Sequence, residues 1–342
     1  MLHELKRIFQ DYKKAKKKGL KAVLASVVEL DGSSYRRPGV RMLILENGKM
    51  TGAVSGGCVE KEVLLQAQSV FKDGRAKIMT YDGRYRLGCD GIIYILLEIF
   101  QPDAGLIKCL QNYSEKRKEF SISSYYCKAE NTAMGSVFSF STTYPVSPYF
   151  DPIENKDTID FSVFTEVLKP ALKLIIFGAE HDAVQLCSYA AMTGWEVSII
   201  ASPSDPRTIE NFPGAKNVLN YTPAEIANLK IDSQTALLLM THNFAADLNY
   251  LLHLKNTSPA YLGLLGPSQR RNKMLNECME RLPHLEPSFF NKIHGPAGIN
   301  IGAETPQEIA ISILAEILSV IRNQTPMSLK QKKNSIHSGI EF

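Results

Sequence analysis

From residue 172 onward, short apolar runs at 172–177, 197–201, 235–240 and 260–264 alternate with stretches of helical periodicity. No other feature constrains the fold as strongly. Consecutive strands separated by helices are joined by crossovers, and crossovers place helices on both faces of a parallel sheet. A last helix is expected from Thr305-Pro306-Gln307-Glu308, which has a hydroxyl at the cap, proline in the first turn and a carboxylate three residues on. Residues 171–323 therefore read as a doubly wound parallel-sheet domain, and residues 324–342 as a polar tail.

The N-terminal part has another texture. Leu2, Leu5, Ile8, Phe9 and Tyr12 form one stripe of an amphipathic helix whose other faces are rich in Lys. Short β-rich runs follow at 22–29, 41–46 and 49–54, the last two separated by the hairpin signal Asn47-Gly48. A helix is expected after Gly56-Gly57, ending at Asp73-Gly74, then strands at 76–81 and 92–100 around a polar loop, 82–91. With a further helix and hairpin over 103–140, residues 1–140 read as an α+β domain. Residues 141–170, with four prolines and isolated charges, read as an interdomain linker.

Charge narrows the function classes. The formal net charge of the 342 residues is +4, but the first 21 residues carry +6 and the last 19 carry +2, leaving −4 on the body. Binding to nucleic acid needs cations clustered on the working face, so no nucleic-acid partner is expected. The apolar stretch 309–321 is interrupted by Ser312, Glu316 and Ser319, and no run is long enough to span a bilayer. The N-terminus lacks the pattern of a secretory signal, and six scattered cysteines without CxxC spacing read as reduced thiols of a cytoplasmic protein.

Four constellations could carry chemistry. Ser55-Gly56-Gly57-Cys58-Val59-Glu60 lies at a strand-to-helix junction, where free amides attract an anion and a thiol pKa is lowered. Gly88-Cys89-Asp90-Gly91 is a second glycine-flanked cysteine turn, and Cys89 would face Cys58 if both turns lie at one sheet edge. Either turn could instead be a plain backbone device. Gly178-Ala179-Glu180-His181-Asp182-Ala183 has the place of a dinucleotide fingerprint in a Rossmann-like domain. Glu180 and Ala183 replace its second and third glycines, and no carboxylate stands at the tip of the next strand, which ends at Ala201-Ser202. His242, Arg270 and His294 stand in loops expected at the carboxyl edge of the sheet, where they could form an anion-binding and proton-transfer cluster. Each histidine could equally be a structural residue.

Taken in order, these motifs, residues 25–38, Thr241-His242, 261–271 and Gly302-Ala303-Glu304-Thr305-Pro306 resemble the XdhC/CoxI family of xanthine dehydrogenase accessory proteins. The resemblance implies a homodimeric cytoplasmic chaperone, rather than an enzyme, that binds molybdenum cofactor (molybdopterin). It implies support for sulfuration of the cofactor, with a desulfurase as sulfur donor, and insertion into a molybdenum hydroxylase such as xanthine dehydrogenase. Carried onto this sequence, it puts cofactor binding at Gly56, Gly57, Cys58, Gly88, Cys89 and Gly178, with Cys58 and Cys89 as thiolates facing molybdenum. The family commonly has Gly-Cys-Gly-Gly where this chain has Gly88-Cys89-Asp90-Gly91, Gly-Ala-Gly-His-x-Gly at residues 178–183, and an acidic residue at Ala201. These departures bear on NAD or another nucleotide as ligand. The alternative from another class is a nucleotide-dependent oxidoreductase using the Rossmann-like domain; a third is a pure interaction protein.

Overall fold

A strand buried on both faces organises the first part of the chain. In the computed structural model, which describes residues 2–32, 37–84, 91–128, 134–140, 143–146 and 161–332, the chain divides between Pro170 and Ala171. The N-terminal unit runs α1 (Leu2–Lys16), β1 (Ala22–Asp31), β2 (Arg41–Leu45), β3 (Met50–Gly52), α2 (Cys58–Asp73), β4 (Lys77–Asp82), β5 (Ile92–Ile99), α3 (Ala104–Glu115), β6 (Phe120–Tyr126), β7 (Gly135–Phe140), β8 (Thr143–Val146) and β9 (Ser162–Leu168). The first five strands form an antiparallel sheet ordered β3-β2-β1-β5-β4, and the last four a sheet ordered β8-β7-β6-β9. Because side chains alternate across a strand, Val23, Ala25 and Val27 of β1 pack with α2 through Val59, Val63, Ala67 and Val70. Ala22 and Leu24 face the other way, toward the apolar stripe of α1 and Phe100, Leu106, Ile122 and Phe138. Phe9 makes edge-on contacts with Phe100 and Phe138, at centroid distances of 5.2 and 6.1 Å.

The second unit contains β10 (Lys173–Phe177), α4 (His181–Met192), β11 (Glu196–Ala201), β12 (Ala215–Asn220), β13 (Thr235–Leu239), α5 (Phe244–His253), β14 (Tyr261–Leu264), α6 (Ser268–Arg281), α7 (Pro287–Asn291), β15 (Ile293–His294) and α8 (Pro306–Ile321). Its six strands are ordered β12-β11-β10-β13-β14-β15, and every pairing is parallel. The chain winds outward from β10 in one direction and then in the other, so the topological switch lies between β10 and β13. Leu174 and Ile176 face α4 and α8, while Ile175 and Phe177 face α5, α6 and α7. This is the Rossmann-like α/β architecture expected from the alternation, preceded by an α+β unit.

Much of the segment expected as a linker, 141–170, belongs to the N-terminal unit. β8 pairs with β7, and β9 pairs with β6 over seven residues, from Phe120↔Leu168 to Tyr126↔Ser162. β9 is an edge strand with only one face covered: Val163 and Val167 are exposed, while Glu166 and Leu168 are buried. With valines on the open face and a glutamate on the covered one, its residues show no two-residue apolar period, hence its loop-like reading. Glu166 forms a buried ion pair with Arg41 of β2, joining the two sheets.

Candidate functional site

The topology of the first sheet collects three turns. β1 ends, β2 begins, β3 ends, and the β4–β5 hairpin closes at the same end of the sheet, as the register pairs Asp31↔Ile92, Ser26↔Arg41, Met42↔Gly52 and Asp82↔Ile92 require. The β1–β2 loop, the β3–α2 turn with Gly56, Gly57 and Cys58, and the β4–β5 loop holding Gly88 and Cys89 all leave from that end. Residues 85–90, including Gly88, Cys89 and Asp90, lie outside the described residues, as does the Cys58 side chain. At the flanks of the second loop, the Gly83 amide donates to the Gly91 carbonyl at 3.0 Å.

The β3–α2 turn is held by Glu60. Gly57 is the N-cap of α2, with φ of +126°, and Cys58 is the first helical residue. The Glu60 carboxylate accepts from the amides of Ser55 at 2.7 Å and Gly57 at 2.8 Å, and from the Ser55 hydroxyl at 3.0 Å. Burial of Glu60 works to raise its pKa, but these donors outweigh it and hold the carboxyl below its ordinary range. Two of the amides that an incoming anion could have used are therefore occupied by the chain's own carboxylate. Cys109, Cys187 and Cys278 are free thiols. Cys187 and Cys278 are fully buried, and burial pushes the Cys187 thiol up to about 11.

The β10–α4 turn does not fit a dinucleotide. Gly178 has φ of +127°, and a Cβ there would lie 2.4 Å from the Met240 carbonyl oxygen, so packing against the end of β13 alone requires glycine. Glu180 occupies the N-cap of α4, where a pyrophosphate would sit, and makes no capping hydrogen bond. It is turned to Arg207, whose Nη2 donates to Glu180 Oε1 at 2.9 Å and to Asp205 Oδ2 at 2.8 Å. Arg207 Nε reaches Asp205 Oδ1 at 2.9 Å, and Nη1 donates to the Ala179 carbonyl. The Asn220 amide braces the same loop through the carbonyls of Ser202 and Asp205. The guanidinium beside Glu180 and Asp205 lowers the pKa of both carboxyls. Ala201, where a ribose-binding carboxylate would stand, is completely buried.

The three cluster residues at the carboxyl edge are assigned to three different carboxylates. His242 has φ of +56°, a strained conformation for a non-glycine residue, and its Nε2 lies 3.3 Å from Asp182 on α4. Arg270 Nη2 donates to Asp247 at 2.6 Å; Asp247 is buried and also accepts from the Thr241 amide and hydroxyl. Gly266 makes room for this arginine, since a Cβ there would meet Arg270 Cδ at 2.7 Å. His294 pairs through Nδ1 with Glu316 of α8 at 3.3 Å. Each of the three side chains thus meets a different carboxylate, Asp182 of α4, Asp247 of α5 and Glu316 of α8, because each is claimed by the helix packed nearest its strand end.

Two family models match this chain: one described as the XdhC Rossmann domain over residues 174–317, and one as the XdhC and CoxI family over residues 15–82. The chain belongs to the XdhC and CoxI family. It is 29% identical over 320 residues to a protein of Bacillus subtilis (strain 168) named as a probable xanthine dehydrogenase subunit, covering 87% of this chain and 92% of that one. It is 27% identical over 311 residues to the molybdenum cofactor insertion chaperone PaoD of Escherichia coli (strain K12), covering 90% of this chain and 85% of that protein. A crystal structure described as a xanthine dehydrogenase from Bacillus halodurans superposes with a TM-score of 0.76 at 26% identity, covering 94% and 97% of the two chains.

In this XdhC and CoxI family chain, sequence reasoning missed Arg207, Asp205, Tyr261 and Glu316 as parts of the site. Glu316 had a signal, being the one charge in the apolar stretch 309–321. A carboxylate on the inner face of a buried helix needs partners, and it finds them in Tyr261, His294 and the Gly298 amide. Arg207 had none, since its partners are 27 and 2 residues away in a loop without periodicity. Among the described residues no three His, Cys, Asp or Glu side chains are grouped to hold a metal ion, and no helix is long and apolar enough to cross a membrane.

Proposed function

We propose that this chain is an accessory protein that takes molybdenum cofactor as cargo, supports its sulfuration, and delivers it to a molybdenum hydroxylase of the xanthine dehydrogenase kind. The observation that carries the reading is the convergence of the β1–β2, β3–α2 and β4–β5 turns at one end of the first sheet. The chain enters and leaves both glycine-flanked cysteine motifs at that end, through residues 52–57 for the first and through Asp82 and Ile92 for the second. The roles for which the Bacillus subtilis and Escherichia coli relatives are named support it. In this reading Gly56, Gly57 and Gly88 let the backbone approach the pterin closely, and Cys58 and Cys89 meet the molybdenum or the incoming sulfur. Glu60 holds the first turn in shape and, by taking two amides, leaves it suited to a cargo recognised more through its metal than through a phosphate.

The test is the double substitution Cys58→Ser, Cys89→Ser in the full chain, produced together with a partner hydroxylase. Molybdenum retained on the purified protein is expected to fall at least tenfold, with a parallel loss of partner activity. Unchanged molybdenum would remove the thiols from the reading. The nucleotide-dependent oxidoreductase gains no observation in its favour, since Glu180 and Arg207 occupy the position its cofactor needs.

A further inference from the structure

The inner face of α8 is interrupted by Ser312 and Glu316, one helical turn apart, and both are committed to the loop that follows β15. The Ser312 hydroxyl donates to the Ile299 carbonyl at 2.6 Å, and Glu316 Oε2 accepts from the Gly298 amide at 2.7 Å. Gly298, at φ of +116°, must be glycine, because a Cβ would lie 2.4 Å from Ser312 Oγ. The same Oε2 accepts from the Tyr261 hydroxyl at 2.6 Å. Tyr261 is buried, and its ring stacks on His294 at 4.6 Å and 21°. Gly263, in mid-strand, allows this: a Cβ there would stand 2.6 Å from the Tyr261 ring.

Anchoring the loop needs Ser312, Glu316 and the Gly298 amide. It does not need an imidazole. With Nδ1 donating to Glu316, a neutral ring carries its lone pair on Nε2. Nε2 has no hydrogen-bond partner among the described residues, and the side chain is 29% exposed. It sits on the last strand of a parallel sheet, next to the carboxyl edge where such sheets bind ligands. The groups around it are Glu316 from α8, Tyr261 from β14 and Arg271 from α6, whose Cγ would lie 3.0 Å from a Cβ at Gly295.

We infer that His294, fixed by Glu316 and stacked on Tyr261, is the proton-accepting contact of a second ligand site at the carboxyl edge of the parallel sheet, one that takes a ligand presenting an N–H donor. The choice of a pterin ring as probe rests on the cargo reading; the orientation of the histidine does not.

The experiment uses the full chain labelled with 15N-histidine at pH 8, where ordinary imidazoles are neutral. Long-range 1H–15N spectra, assigned with His294→Gln, are expected to show the Nδ1–H tautomer at His294. Glu316→Gln should shift the ring toward the ordinary tautomer mixture. Added free pterin should move the Nε2 resonance and bind at least tenfold more weakly to His294→Phe, which preserves an aromatic ring over Tyr261. An Nε2–H tautomer in the wild-type chain overturns the proposal, as does pterin that fails to bind or binds His294→Phe equally well. Normal pterin shifts combined with unchanged molybdenum in the cysteine double variant would remove the thiols from the cargo reading and leave this proposal standing.

Discussion

The chain contains two strand-to-helix turns built from the same ingredients, a glycine at strongly positive φ and a nearby glutamate, and the two do opposite things. At the β3–α2 turn the glutamate lies three residues past the cap, so Glu60 folds back and takes the amides of Ser55 and Gly57. At the β10–α4 turn the glutamate is the cap residue itself, too close to reach back, and Glu180 turns outward to Arg207. Three residues of spacing separate a carboxylate that shapes a turn from one that closes it. The glycines differ as well. Nothing lies within 4 Å of a Cβ built on Gly57, whereas Gly178 is pressed against the Met240 carbonyl.

The sharpest way to break this comparison is to put alanine at both glycines. Gly178→Ala combines backbone strain with overlap against backbone atoms and is expected to destabilise the C-terminal unit by about 4 kcal/mol. Gly57→Ala carries only the strain, about 1 kcal/mol. Urea unfolding followed separately for each unit measures both, and equal losses would show that the Met240 contact does not matter. Next in size is Glu60→Ala, which leaves the Ser55 and Gly57 donors without their acceptor and should lower the stability of the N-terminal unit by about 2 kcal/mol. Arg207→Ala removes a pairing in which Glu180 is 52% exposed, so solvent screening limits its effect to about 1 kcal/mol. A loss as large as that of Glu60→Ala would mean that the second turn depends on its ion pairs as much as the first depends on its cap.

The smallest effect is in pH. The folded pKa of Glu60 lies below its reference of 4.5, so the unfolded chain binds the proton more readily. Its stabilisation is complete above that reference and is lost as pH falls through the folded value. The thermal stability of the N-terminal unit should therefore fall as the pH drops below the 4.5 reference, and less so in Glu60→Gln. Glu316 gives the C-terminal unit the same sign, because the donors from His294, Tyr261 and Gly298 outweigh the burial that works to raise it.

The alternation after residue 172 and the cap at Thr305 were legible because strand and helix periods are local properties. Both appear where expected, with the Thr305 hydroxyl accepting from the Glu308 amide. The edge strand β9 was not legible, because Val163 and Val167 on its exposed face and Glu166 on its covered face erase the two-residue period. Gly178 was legible as a required glycine, but for a ligand. In the fold its requirement comes from Met240, which stands 62 residues away by sequence number.

The candidate site divides along the same line. The residue types at the turns and strand ends, from Gly56 and Cys58 to His242, Arg270 and His294, could be named from the sequence because loops between regular elements declare themselves in glycine, proline and polar residues. Their partners could not. Whether a histidine stands alone or beside a carboxylate depends on which helix packs beside its strand, and in this fold Asp182, Asp247 and Glu316 come from three different helices. The sequence determined where the strands end; the packing of helices onto the sheet decided which charge meets which, because those contacts are set by distance in space rather than along the chain.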